Sequence, residues 1–304
     1  MRKTRVVPAV VAAIAFVSLS ALARAQDSFP IGSATKGAGG VRLHYLVAGK
    51  GPALILLHGY AETSRMWRPI IPKLAERFSV IAPDLPGIGD SDVPQGAVVD
   101  MKWAAARVHD LVRSLGVQSA EVVGHDIGLM VAYAYAAQYP SEVTKLVLMD
   151  AFLPGVAGWE AIYDNPDLWH FRFHGETPLK LVQGREAEYF AYYWNEFAAD
   201  RNRSLPPADR EAYVAAYSRP GRMAAGWAYF ASFPKTAHDF AELAKTKLKI
   251  PVLSIGGDKS LGEALGKQAR LISDDVTVVV LKNAGHWILE EQPEETTAAL
   301  LEFL

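Results

Sequence analysis

Asp126 stands in the pentapeptide Gly124-His125-Asp126-Ile127-Gly128, after the run Glu121-Val122-Val123 and before a helix-prone stretch. A strand that turns sharply into a helix between two small residues leaves the middle side chain exposed above the sheet, the geometry of a nucleophile elbow. Here that side chain is a carboxylate rather than a hydroxyl. A carboxylate has a reference pKa of about 4 and is already ionised near neutrality. It can therefore attack a saturated carbon without a base to activate it, chemistry that suits opening an epoxide or displacing a halide rather than cleaving an ester or peptide.

Other segments supply what such a nucleophile needs. His58-Gly59-Tyr60 follows the apolar run Ala53 to Leu57, and Gly59 permits the bend that would aim the backbone N–H groups of Tyr60 and Ile127 at an oxyanion. The His58 side chain itself reads as a turn residue. Asn283-Ala284-Gly285-His286-Trp287 follows the last strand-like run and makes His286 the base among eight histidines. Its partner acid is Asp150, at the end of the strand after the nucleophile strand, with Asp258 in Gly256-Gly257-Asp258 as the alternative. Asp84 and Asp90, in the turn-rich stretch 82–91, read as acceptors that organise a loop.

These groups must be carried by a sheet. Strand-like runs at Ala53 to Leu57, Ser79 to Ala82, Ala120 to Gly124 and Val143 to Met149 alternate with helical spacing at Met66 to Phe78, Met101 to Leu115 and Gly128 to Gln138. Such alternation implies parallel strands with crossover helices, an α/β class. The pattern stops at Ala151. It resumes with a strand at Pro251 to Ile255, a helix, the strand Val276 to Leu281 and a last helix from Pro293. The aromatic-rich helical residues between, 152–240, read as a lid inserted between core segments 26–151 and 241–304. Gln26 to Gly40 reads as an exposed lead-in.

The 304 residues are 50% hydrophobic and 21% charged, enough for a large core. Arg2, Lys3 and Arg5, an apolar run from Val6 to Leu22, and Ala23-Arg24-Ala25 have the order of a secretory leader cleaved after Ala25. Its loss would take the formal charge from −2 to −6, which disfavours nucleic acid as a partner. The chain has no cysteine, which excludes disulfides, thiolate metal sites and a thiol nucleophile.

From about Val41 to Leu304 the chain resembles the α/β-hydrolase superfamily, in its epoxide hydrolase and haloalkane dehalogenase branch, on the motifs His-Gly-x, Asp-Leu-Pro-Gly-x-Gly-x-Ser, Gly-His-Asp-x-Gly and Gly-His-Trp. The resemblance implies an alkyl ester on Asp126 hydrolysed by water that His286 activates, with no metal or organic cofactor. Ile127 stands where haloalkane dehalogenases place a halide-binding tryptophan, and Ile127 and Met130 stand where fluoroacetate dehalogenases place arginines. Leu168-Trp169-His170-Phe171 is similar to the lid of Cif-type secreted epoxide hydrolases. That likeness implies His170 as a ring-opening proton donor and a small apolar epoxide as substrate.

The family's second donor, a tyrosine, aligns with Phe230, and Tyr229 is one residue away. One helical step turns a side chain through about 100°, so either Tyr229 or another lid tyrosine donates through a shifted lid, or His170 works alone. Trp67, Trp169, Phe171 and Phe230 are the expected apolar pocket walls. Haloalkane or haloacid dehalogenation and a non-catalytic ligand-binding role are the alternatives.

Overall fold

A computed structural model describes residues 29–304 apart from 95, 97 and 98. The expected leader, residues 1–25, lies outside the described residues. Eight strands form one sheet: β1 (Gly32–Ala38), β2 (Val41–Ala48), β3 (Ala53–Leu57), β4 (Ser79–Pro83), β5 (Ala120–His125), β6 (Val143–Met149), β7 (Val252–Gly257) and β8 (Val276–Leu281). Their spatial order is β1-β2-β4-β3-β5-β6-β7-β8, with β2 antiparallel to both its neighbours and all pairs from β4 to β8 parallel.

The central strands read as continuous apolar runs because both of their faces are covered. On β3, Ala53, Ile55 and Leu57 pack on one face while Leu54 and Leu56 pack on the other. Helix α1 (Met101–Ser114) starts at Asp100, whose carboxylate accepts from the Trp103 amide at 2.8 Å. Helix α2 (Ile127–Gln138) is buried at every position from Ile127 to Ala136, as expected of a helix apolar all round.

Between β6 and β7 lies the expected helical insertion. It contains a 3-10 segment, Pro166–Arg172, and helices α3 (Glu186–Glu196), α4 (Pro207–Tyr217), α5 (Arg222–Ala231) and α6 (Phe233–Leu243). Helices α7 (Glu263–Ile272) and α8 (Pro293–Phe303) complete the core. Among the described residues no helix is long and apolar enough to cross a membrane.

Two expectations fail here. The lead-in ends in an ordered strand: Gly32–Ala38 pairs along its whole length with β2. The backbone ladder holds this edge strand, so it needs little of the apolar alternation that marks inner strands. The helix expected from Met66 to Phe78 is broken into a 3-10 turn at Ser64–Trp67 and one turn at Ile71–Leu74. Pro69 and Pro72 lack the amide protons that a continuous helix would use there.

Candidate active site

Asp126 joins β5 to α2 with φ 51° and ψ −124°, a backbone state that only a tightly built turn sustains in a residue with a side chain. The flanking glycines are sterically required. A Cβ on Gly124 would lie 2.2 Å from the Gly128 carbonyl oxygen, and one on Gly128 would lie 2.4 Å from that of Leu57. The elbow is thus pressed against the end of β3, and the loop after β3 comes to Asp126.

There the Tyr60 amide donates to Asp126 Oδ2 at 2.8 Å. Ile127 is the first residue of α2, so its amide has no acceptor within the helix. His58 acts as a brace: its Nε2 accepts from the Leu85 amide at 2.9 Å, which places the proton on Nδ1, donated to the Gly59 carbonyl at 2.8 Å. Burial holds this imidazole below its ordinary pKa, and hence neutral.

His286 and Asp150 are equally well tied. His286 Nδ1 lies 2.9 Å from Asp150 Oδ2. Asp150 also accepts from the Gly257 amide at 2.9 Å and from the Ser260 hydroxyl at 2.6 Å. Asp258 instead accepts from the Ala284 amide at 3.3 Å and shapes the loop that carries His286. The structure therefore pairs His286 with Asp150. Burial alone would lower the His286 pKa, but the Asp150 hydrogen bond and the charges of Asp126, Asp150 and Glu62 outweigh it and raise it to about 9.

Asp126 and His286 open into a cavity of about 190 Å³ walled by Phe152, Leu168, Phe171 and Phe197. His170 is 5% exposed and packed edge-on to Tyr193 and Phe230, with ring centroids 5.0 and 5.3 Å away. Its buried Nδ1 has no hydrogen-bond partner among the described residues. Burial, reinforced by the His286 charge, lowers its pKa to about 3, so His170 is a neutral imidazole.

Several expected residues are elsewhere. Tyr229 is fully buried and its hydroxyl donates to the Pro86 carbonyl at 3.0 Å, so the one-residue step does turn it away from the cavity. Trp67 packs in the core on the opposite face of the sheet, among Leu54, Met66 and Ile70. Trp169 is 37% exposed and packs edge-on to Phe173 and at a tilt to Tyr192, both lid residues. Phe230 packs behind the wall against Tyr60, His170 and Phe171. Of the four expected wall residues, only Phe171 lines the cavity.

Sequence reasoning missed a buried network beneath the site. Glu62 Oε2 bonds His125 Nδ1 at 3.1 Å, and His125 Nε2 bonds the His286 carbonyl at 2.9 Å. Burial opposes charge on His125, yet the contact with Glu62 holds its pKa above the ordinary value. Glu291 is also buried; it accepts from Gly285 and from the lid amides of Ala199 and Asp200 at 2.7–3.0 Å. The His286 amide donates to the lid carbonyl of Phe197 at 2.8 Å. No spacing marks Glu62 or Glu291, because His125 and the lid amides of Ala199 and Asp200 are distant from them in sequence.

Residues 52–293 match the family described as the alpha/beta hydrolase fold. The chain belongs to this α/β-hydrolase family. Over 272 residues it is 32% identical to the soluble epoxide hydrolase of Corynebacterium sp. (strain C12), covering 87% of this chain and 94% of that one. Cfl2 from Burkholderia cenocepacia superposes with a TM-score of 0.82 at 32% identity, over 92% of this chain and 97% of Cfl2. The Cif epoxide hydrolase from Acinetobacter nosocomialis shares the fold, with a TM-score of 0.78 and 24% identity over 90% and 89% of the two chains. This α/β-hydrolase is an enzyme of the epoxide hydrolase-like type.

Proposed function

We propose that the enzyme hydrolyses small apolar epoxides to vicinal diols through a covalent ester on Asp126. The observation that carries this reading is a carboxylate at a strained elbow, opening with His286 into a cavity whose wall includes Phe152, Leu168, Phe171 and Phe197. Since Oδ2 already accepts from the Tyr60 amide, Oδ1 attacks the epoxide carbon. The C–O bond of the ring breaks, and His170 gives its imidazole proton to the departing alkoxide. Esterification removes the charge of Asp126, one of the influences that hold His286 near a pKa of 9. The imidazole then gives up its proton more readily and draws one from water, which attacks Asp126 Cγ. The oxyanion forms on Oδ2, beside the Tyr60 and Ile127 amides. Collapse of that intermediate breaks the ester C–O bond: His286 returns its proton to the departing diol oxygen, and the proton left on the regenerated Asp126 carboxyl passes to His170, so that carboxylate and imidazole are both restored.

The leader-like residues 1–25 support export, and we place the reaction outside the cytoplasm. A panel of aliphatic and styrene-type epoxides beside matched bromoalkanes tests the reading. Diols without bromide are expected; bromide without diol would move the enzyme to the dehalogenases.

A further inference from the structure

Away from Asp126, a second cleft of about 430 Å³ lies between the β1-β2 edge of the sheet and lid helix α4. Ser33, on β1, places its Oγ 2.8 Å from His44 Nε2, and His44 Nδ1 lies 2.8 Å from Asp84 Oδ2. Asp84 is fixed in turn by the amides of Ser64 at 2.7 Å and Asp90 at 2.8 Å. The carboxylate therefore sets the imidazole with its proton on Nδ1, leaving Nε2 to accept from the serine hydroxyl. Hydroxyl, imidazole and buried acid in this connectivity are the parts of a nucleophilic relay, which is recognised by geometry and roles. Exposure is graded in the same sense. Ser33 faces solvent, the His44 side chain is 12% exposed and that of Asp84 3%.

Three guanidinium groups line the cleft. Arg65 is paired with Asp209 and Arg219 with Asp90, whereas Arg68 has no ion pair among the described residues. We propose that Ser33, His44 and Asp84 form a second nucleophilic site that transfers acyl groups from small carboxylic esters bearing an anionic group, which Arg68 attracts. Ser33 Oγ bonds to the acyl carbon as its proton passes to His44 Nε2. The acyl C–O bond then breaks, and the alcohol leaves with that proton. Water, deprotonated by the same nitrogen, releases the acid and restores the serine.

The test uses the full chain carrying Asp126→Ala, so it does not depend on the epoxide reading. An alkyl fluorophosphonate should add once, mapping to Ser33 by peptide mass. A p-nitrophenyl hemiester of glutarate should be cleaved faster than p-nitrophenyl acetate. Adding Ser33→Ala, an exposed change on an edge strand that leaves the core untouched, should abolish the label and slow hemiester cleavage by at least about tenfold. Adding His44→Gln should do likewise, and adding Arg68→Gln should remove the preference for the hemiester. A label at another residue, or no label, overturns the proposal. So does hemiester cleavage that survives Ser33→Ala.

Discussion

Asp126 and Asp150 are held by backbone and hydrogen bonds, whereas His170 in the lid is held by rings. Asp126 sits at a φ of 51°, with one oxygen on the Tyr60 amide; Asp150 spans Gly257, Ser260 and His286. His170 is bounded by Phe171, Tyr193, Phe197 and Phe230, and its Nδ1 has no partner among the described residues. The difference separates two tasks. Groups that must keep one geometry through the cycle are pinned by directional bonds, while the proposed proton donor to a transient alkoxide sits among aromatic rings with its Nδ1 uncommitted.

Breaking the pinned half should cost most. Asp126→Ala is expected to lower diol formation on the order of 10⁶-fold; measurable turnover near that of the parent would remove the nucleophile from the account. Asp150→Asn should cost about 10⁴-fold by presenting the wrong partner to His286 Nδ1. In pre-steady-state kinetics the loss should fall on ester hydrolysis rather than ester formation. In the lid half, His170→Phe should slow ring opening by about 10²-fold, with little ester accumulating. Equal ester formation in that variant would transfer the donor role to another group.

Electrostatics sharpen the comparison further. The His286 pKa, raised to about 9, should fall in Asp126→Asn, as read by NMR of the imidazole protons, because a favourable charge is gone. Hydrolysis of the ester should accordingly accelerate as pH rises through a pKa below 9. For stability the sign is the reverse. A folded pKa above the unfolded value of about 6.5 contributes stabilisation that is complete below that value and disappears as pH rises through 9. Parent and His286→Gln should therefore converge in thermal midpoint over that window. The smallest effect belongs to Tyr229→Phe, which leaves the Pro86 carbonyl without its donor and should cost about 1 kcal/mol in denaturant titration, with turnover near that of the parent.

The same division governs what could be read from the chain. The elbow and its glycines, the Tyr60 amide, His286 and the parallel strands follow from local rules, since a tight strand-helix turn admits few residue types. The edge strand Gly32–Ala38 does not, because its hold is the ladder to β2 rather than an apolar face. Trp67 follows the His-Gly motif closely in sequence, yet the 3-10 turn at Ser64–Trp67 delivers it to the far side of the sheet. Lid walls such as Phe152 and Phe197 depend on how aromatic rings pack across helices, for which no periodicity gives a rule. The contacts of Glu62 with His125 and of Glu291 with the lid amides join residues far apart in sequence, the latter through backbone groups that any residue type presents.

The most direct test is intact-mass analysis of His286→Gln incubated with an epoxide that the parent converts to diol. The account predicts a persistent gain equal to the mass of one epoxide, mapping to the peptide that contains Asp126. An unmodified protein under those conditions would contradict the ester route.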